Sequence, residues 1–199
     1  MMAPFFETAK SFADVEITEK GVNTQDFIDA SDALLRLFGL VESSVFAFVQ
    51  ADLKSYLDGI RQRYESHRDE SQTLEALVQS EAKDLKRRAI PCLVQFVRGL
   101  AFTCKALQNM QKDPNVELHI CFKRSYDEIL VHHHSFIVRS LVAVVIRAVP
   151  RRRDFYACIA QGGSRAKLDT ALVKWLEALE ILVKHLCDFL EGGQYGRVV

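Results

Sequence analysis

Apolar residues recur at three- and four-residue spacing along most of this chain, the period of amphipathic helices rather than of strands. The pattern predicts helices over residues 23–39, 44–64, 72–86, about 91–111, 116–127, 128–148, 152–160 and 165–191. Asn23 and Thr24 suit a helix start, Pro91 suits a first turn, and "KDPN", Pro150 and Gly162-Gly163 supply breaks. No strand pair, internal repeat, low-complexity tract or long linker interrupts the series. The expectation is one all-α domain over residues 1–199, its helices packed in two layers.

Three of these helices carry polar residues beside their apolar stripes. In "SSVFAFVQADLKSYLDGIRQRY" the stripe is Phe46, Val49, Leu53, Tyr56, Leu57 and Ile60, and Asp52 lies about 80° from its centre. Asp52 reads either as a solvated flank or as a carboxylate leaning over the mouth of an apolar space; Lys54 and Asp58 fall on the far side. The helix "PCLVQFVRGLAFTCKAL" is apolar on one face, while Gln95, Arg98 and Phe102 line another, a pattern that suits a place between layers or beside a pocket. Arg98 reads equally as an ordinary surface salt bridge. In "EILVHHHSFIVRS" a helix over 128–148 puts Leu130, Val131, Ile137, Val138, Leu141, Val142 and Val145 on one stripe with His134 in its middle. His132 then points to the opposite side and His133 to the flank, so three adjacent histidines cannot converge on one ion, and no metal or cofactor is expected. His134 reads as a hydrogen-bonded core histidine or as a ligand.

Composition narrows the classes. Twenty-six basic and twenty-six acidic residues cancel, which gives little reason to expect nucleic acid as a partner. Five cysteines, without a CxxC, suit reduced thiols in a cytoplasmic protein. The opening "MMAPFFETAKSFADVE" lacks the basic start and apolar core of a secretory signal. The stretch "FIVRSLVAVVIRAVP" is taken as the most apolar; it carries Arg139 and Arg147 and falls short of a span of roughly 20 residues, so no transmembrane helix is expected. An aspartate, an arginine and a histidine on three apolar helices suit an acid–base enzyme or a site that grips one polar group while burying a long apolar body. No nucleophile elbow, phosphate loop or HExxH favours the enzyme.

"SSVFAFVQADLKSYL", "FVRGLAFTCKAL", "HHSFIV" and "AVPRRRDFYACI" occur in the order and with about the spacing of the glycolipid transfer proteins, which the chain resembles over roughly residues 23–192. The resemblance implies an all-helical, two-layer sandwich of about eight helices that binds sphingolipids and moves them between membranes without chemistry. It places the ceramide amide between Asp52 and His134, with Arg98 nearby and the chains in an apolar slot between the layers. The chain departs from the family at the headgroup. Glycolipid-specific members carry asparagine, lysine and a stacking tryptophan where Tyr56, Gly59 and Gln95 stand; the ceramide-1-phosphate branch carries lysine and two arginines where Tyr56, Pro91 and Gln95 stand.

The lipid-binding set expected is therefore Asp52, His134, Arg98, Tyr56, Gln95 and Phe102, in a monomer that meets membranes only transiently. A rival is a lipid sensor or scaffold whose ligand regulates a protein contact; a helical interaction module without ligand is another. For the membrane contact, Phe136 lies about 160° from its stripe, Arg139 shares the outer face, and Arg151, Arg152 and Arg153 follow the helix.

Overall fold

The computed structural model describes Phe5 and residues 9–40 and 44–199; side chains 44–46 and 48, and with them Phe46 of the predicted stripe, lie outside the described residues. Among the described residues eight longer α-helices follow one another: α1 (Thr24–Leu40), α2 (Ser44–Ser66), α3 (Leu74–Glu81), α4 (Ala89–Lys112), α5 (Leu118–Ser125), α6 (Phe136–Arg147), α7 (Arg152–Ala160) and α8 (Arg165–Gly192). Together they make a two-layer, all-helical arrangement.

Local chemistry sets the ends. Asn23 Oδ1 accepts the Asp26 amide at 3.0 Å to open α1, and Thr73 Oγ1 accepts the Ala76 amide at 3.2 Å to open α3. The predicted helix over 72–86 stops at Glu81. Its buried carboxylate accepts the amides of Arg88, Ala89 and Ile90 at 3.1, 2.8 and 2.7 Å, so α3 ends by supplying the negative N-terminal cap of α4.

Helix α4 is the centre of the core and packs on α2, α3, α5 and α8. Leu93, Phe96, Leu100, Leu107 and Met110 are fully buried along it, each contributing about 1.5–3 kcal/mol. This helix, not the 136–150 stretch, is long and apolar enough to cross a membrane by length and composition; 67% of its apolar window is buried inside the protein, as befits a core helix. Close approach of α2 to α4 depends on two glycines. A Cβ at Gly59 would stand 2.5 Å from Cys92 Sγ, and one at Gly99 would stand 2.7 Å from Leu53 Cδ2. That approach sets Asp52 and Tyr56 opposite Gln95 and Arg98.

Other expectations also need correction. Ile17–Thr18 and Gly21–Val22 form a small antiparallel hairpin, too short for a periodicity test to register. The predicted helix over 128–148 is not continuous: Tyr126–Leu130 form a π turn, Val131–His133 a 3-10 turn, and His134 is extended before α6 begins. Phe12, Val15, Val22 and Val198, outside the 23–192 span of the resemblance, are buried in the core as well.

Candidate functional site

A cavity of about 480 Å³ lies between α2, α4 and α6. Its apolar wall draws Val49 and Leu53 from α2, Phe102 and Thr103 from α4, Phe38 from α1, Phe122 from α5, and Val138, Leu141, Val142, Val145 and Ile146 from α6. Phe102 and Phe122 meet edge to face at 5.6 Å, an arrangement that fixes both rings in the wall. The polar lining comprises Asp52, Tyr56, Gln95, Arg98, His133 and His134. All six residues singled out from sequence, Asp52, Tyr56, Gln95, Arg98, Phe102 and His134, thus come to one space.

The polar groups differ in how they are held. The Asp52 side chain is exposed, one turn before Tyr56 on the same helix. Burial raises the Tyr56 hydroxyl above its ordinary pKa, and the Asp52 carboxylate, which accepts its hydrogen bond, raises it further. Tyr56 therefore stays a protonated donor. Lys54 points away and pairs with Asp58 at 2.7 Å.

His134 sits where the backbone leaves helical geometry. Its Nδ1 lies 3.2 Å from the Tyr126 hydroxyl, and its carbonyl accepts Arg139 Nε at 3.0 Å. Ser135 Oγ takes the Val138 amide and starts α6 immediately afterwards. Burial holds the His134 imidazole below its ordinary value; Arg98 and Arg139 add to this, and Asp52 opposes it. His133 was expected on the flank and instead lines the cavity, with its pKa lowered by burial, Arg98 and Arg197. The 100° step fails because residues 126–133 are not α-helical. The signal available in the sequence was Ser135, a good cap immediately before "FIVRS".

Arg98 is half-buried and donates through Nε to Val198 O at 3.0 Å, through Nη2 to Arg197 O, and through Nη1 to Gln95 Oε1 at 2.9 Å. Burial lowers its pKa, and Tyr56 counters this.

Outside the cavity, α6 turns apolar residues to solvent. Phe136 is 83% exposed, as its angle predicts, but Ile137 at 72% is exposed too, although it fell on the stripe read as buried; Leu141, in the cavity wall, is itself 59% exposed. Arg139 on the same helix is exposed, as are Arg151 and Arg153 after its end. Arg152 does not belong with them. It is partly buried, and its guanidinium donates to Val116, Met110 and Asp113 carbonyls at 2.9, 2.7 and 2.7 Å, closing the end of α4 and the loop after it.

Comparison with known proteins agrees with this fold. Residues 22–161 match the family model described as glycolipid transfer protein. A glycolipid transfer protein of Aureobasidium melanogenum is 35% identical over 187 residues, covering 94% of this chain and 92% of its own. The crystal structure of HET-C2, a fungal glycolipid transfer protein, superposes with a TM-score of 0.88 at 36% identity, over 94% of this chain and 96% of its own. The structure of FAPP2, described as selecting simple glycosphingolipids with the same fold, gives a TM-score of 0.88 at 26% identity, over 98% and 100%.

Proposed function

The chain belongs to the glycolipid transfer protein family, and from that premise we propose that it binds one sphingolipid in the cavity between α2, α4 and α6 and carries it between membranes without chemical change. One observation carries the reading: an apolar cavity of about 480 Å³ is rimmed on one side by Asp52 and His134, groups suited to the two halves of an amide. A secondary amide that leaves water needs both its N–H and its C=O satisfied, or it loses about 1–3 kcal/mol for each orphaned group. The exposed Asp52 carboxylate accepts the N–H. With the Tyr126 hydroxyl donating to His134 Nδ1, the remaining ring proton sits on Nε2 and is available to the C=O. The ceramide chains lie along Phe102, Val142 and Val145, and Tyr56, Gln95 and Arg98 stand around the headgroup. The glycolipids named for the fungal relatives and the simple glycosphingolipids named for FAPP2 support a sphingolipid cargo.

Delivery needs reversible docking. The outward side of α6, with Phe136 and Ile137 beside Arg139 and with Arg151 and Arg153 following, suits insertion of a few apolar side chains while arginines meet lipid phosphates. The protein works in the cytoplasm on this reading, as a monomer. The test is vesicle-to-vesicle transfer of a fluorescent single-hexose ceramide. Asp52→Val and His134→Leu each reduce transfer at least about tenfold, the scale of one charge-assisted hydrogen bond, while circular dichroism stays that of the parent. Normal transfer by either variant contradicts the amide assignment.

A further inference from the structure

After α8 the chain turns back on itself. Gln194 takes the left-handed conformation (φ 58°), Tyr195 N donates to Leu190 O, and the following residues run over α4. Their seating is close. A Cβ at Gly196 would stand 2.7 Å from Val94 Cγ2, so the backbone lies directly on α4, and Val198 is fully buried. The Glu191 carboxylate clasps the turn by accepting the amides of Val198 and Val199 at 2.9 and 3.2 Å, and these bonds hold its pKa below the ordinary value. At the far side of the turn, Arg98 takes the carbonyls of Arg197 and Val198 on Nη2 and Nε.

Nε and Nη2 form the edge of a guanidinium that clasps carboxylates and phosphates with two parallel hydrogen bonds. Here two consecutive carbonyls fill that edge, and Gln95 holds Nη1. The cation in the cavity wall is thus turned to neutral oxygens of the chain itself. Building on the sphingolipid reading above, we infer that segment 196–199 is a specificity element: by occupying Arg98 it disfavours sphingolipids with an anionic headgroup and leaves the site to neutral ones.

The experiment measures transfer of a single-hexose ceramide and of ceramide-1-phosphate in the same vesicle assay. Two variants lift the segment by different means. Glu191→Ala removes the carboxylate that holds its amides, and Gly196→Ala places a methyl group against Val94. Amide exchange of residues 196–199 reports whether the segment is released. In both variants exchange rises, and the ratio of phosphate-lipid to hexose-lipid transfer rises about tenfold, the scale of one charge-assisted hydrogen bond. Adding Arg98→Gln abolishes that gain. A released segment with an unchanged ratio overturns the inference, as does a gain that survives Arg98→Gln. Unchanged exchange in both variants shows that neither contact holds the segment, which also overturns it. A lower melting temperature with an unchanged ratio assigns the segment a structural role only and is equally fatal. If the parent moves neither lipid, the transfer reading itself fails and this inference falls with it; if the parent moves the hexose lipid and only the ratio fails to respond, the transfer reading stands.

Discussion

At His134 the backbone is extended, with Tyr126 against one ring nitrogen and the cavity beside the ring. Burial first, then Arg98 and Arg139, hold this imidazole below its usual 6.5, and burial with Arg98 does the same to His133. The folded protein therefore refuses protons that the unfolded chain accepts. This contribution to stability is whole above about pH 6.5 and is lost as pH falls through the lowered folded values. Melting temperature should fall between about pH 7 and 5, and a His133→Gln/His134→Gln protein should show a shallower fall; equal slopes contradict the assignment. Arg152 makes a different case. The run "PRRRD" marks three arginines as equivalent, yet only Arg152 reaches the carbonyls at the end of α4. Sequence carries the charge but not which side chain the end of a distant helix captures. Arg152→Ala should cost about 2 kcal/mol in chemical denaturation, since three carbonyls lose a charged donor, with vesicle association unchanged. Stability within experimental error of the parent, with weakened association, returns Arg152 to the membrane face.

Among the elements, α6 is the one on which the proposed cargo and docking roles converge. A helix that is apolar on most sides is usually buried, but this one covers the cavity with Val138, Val142 and Val145 and leaves Phe136 and Ile137 in water. Phe136→Ala should leave stability within about 0.5 kcal/mol of the parent, as for other surface changes, while slowing transfer and weakening binding to vesicles. A melting temperature far below the parent's makes Phe136 a packing residue and contradicts the docking face. Helices α1, α2, α4, α7 and α8 are legible in the chain because their apolar period and the breaks between them agree. The stretch 126–135 is not, because no glycine or proline marks its departure from α geometry and the apolar spacing runs on through it. Outward Ile137 and cavity-lining Leu141 are illegible for the same reason: periodicity locates an apolar stripe but does not say whether it meets the core, a cavity or water. The candidate site was largely legible, since Asp52, Tyr56, Gln95, Arg98, Phe102 and His134 stand out on apolar helices and line one cavity. His133 and the hold of residues 197 and 198 on Arg98 depend on backbone turns that residue spacing does not encode.

For the whole molecule, the fold reads as a container. Helix α4 supplies a fully buried side to the core and a second side to the cavity; α2 presents the carboxylate, the turn before α6 the imidazole, and α6 both a wall and an outer apolar surface. On the function proposed above, this arrangement holds an amphipathic molecule and releases it at a surface. The most direct measurement is native mass spectrometry of the protein after incubation with vesicles containing a single-hexose ceramide, with Asp52→Val in parallel. The account predicts one added mass equal to one lipid on the parent and little or none on the variant. A parent that emerges without bound lipid, or a variant loaded to the same extent, would contradict it.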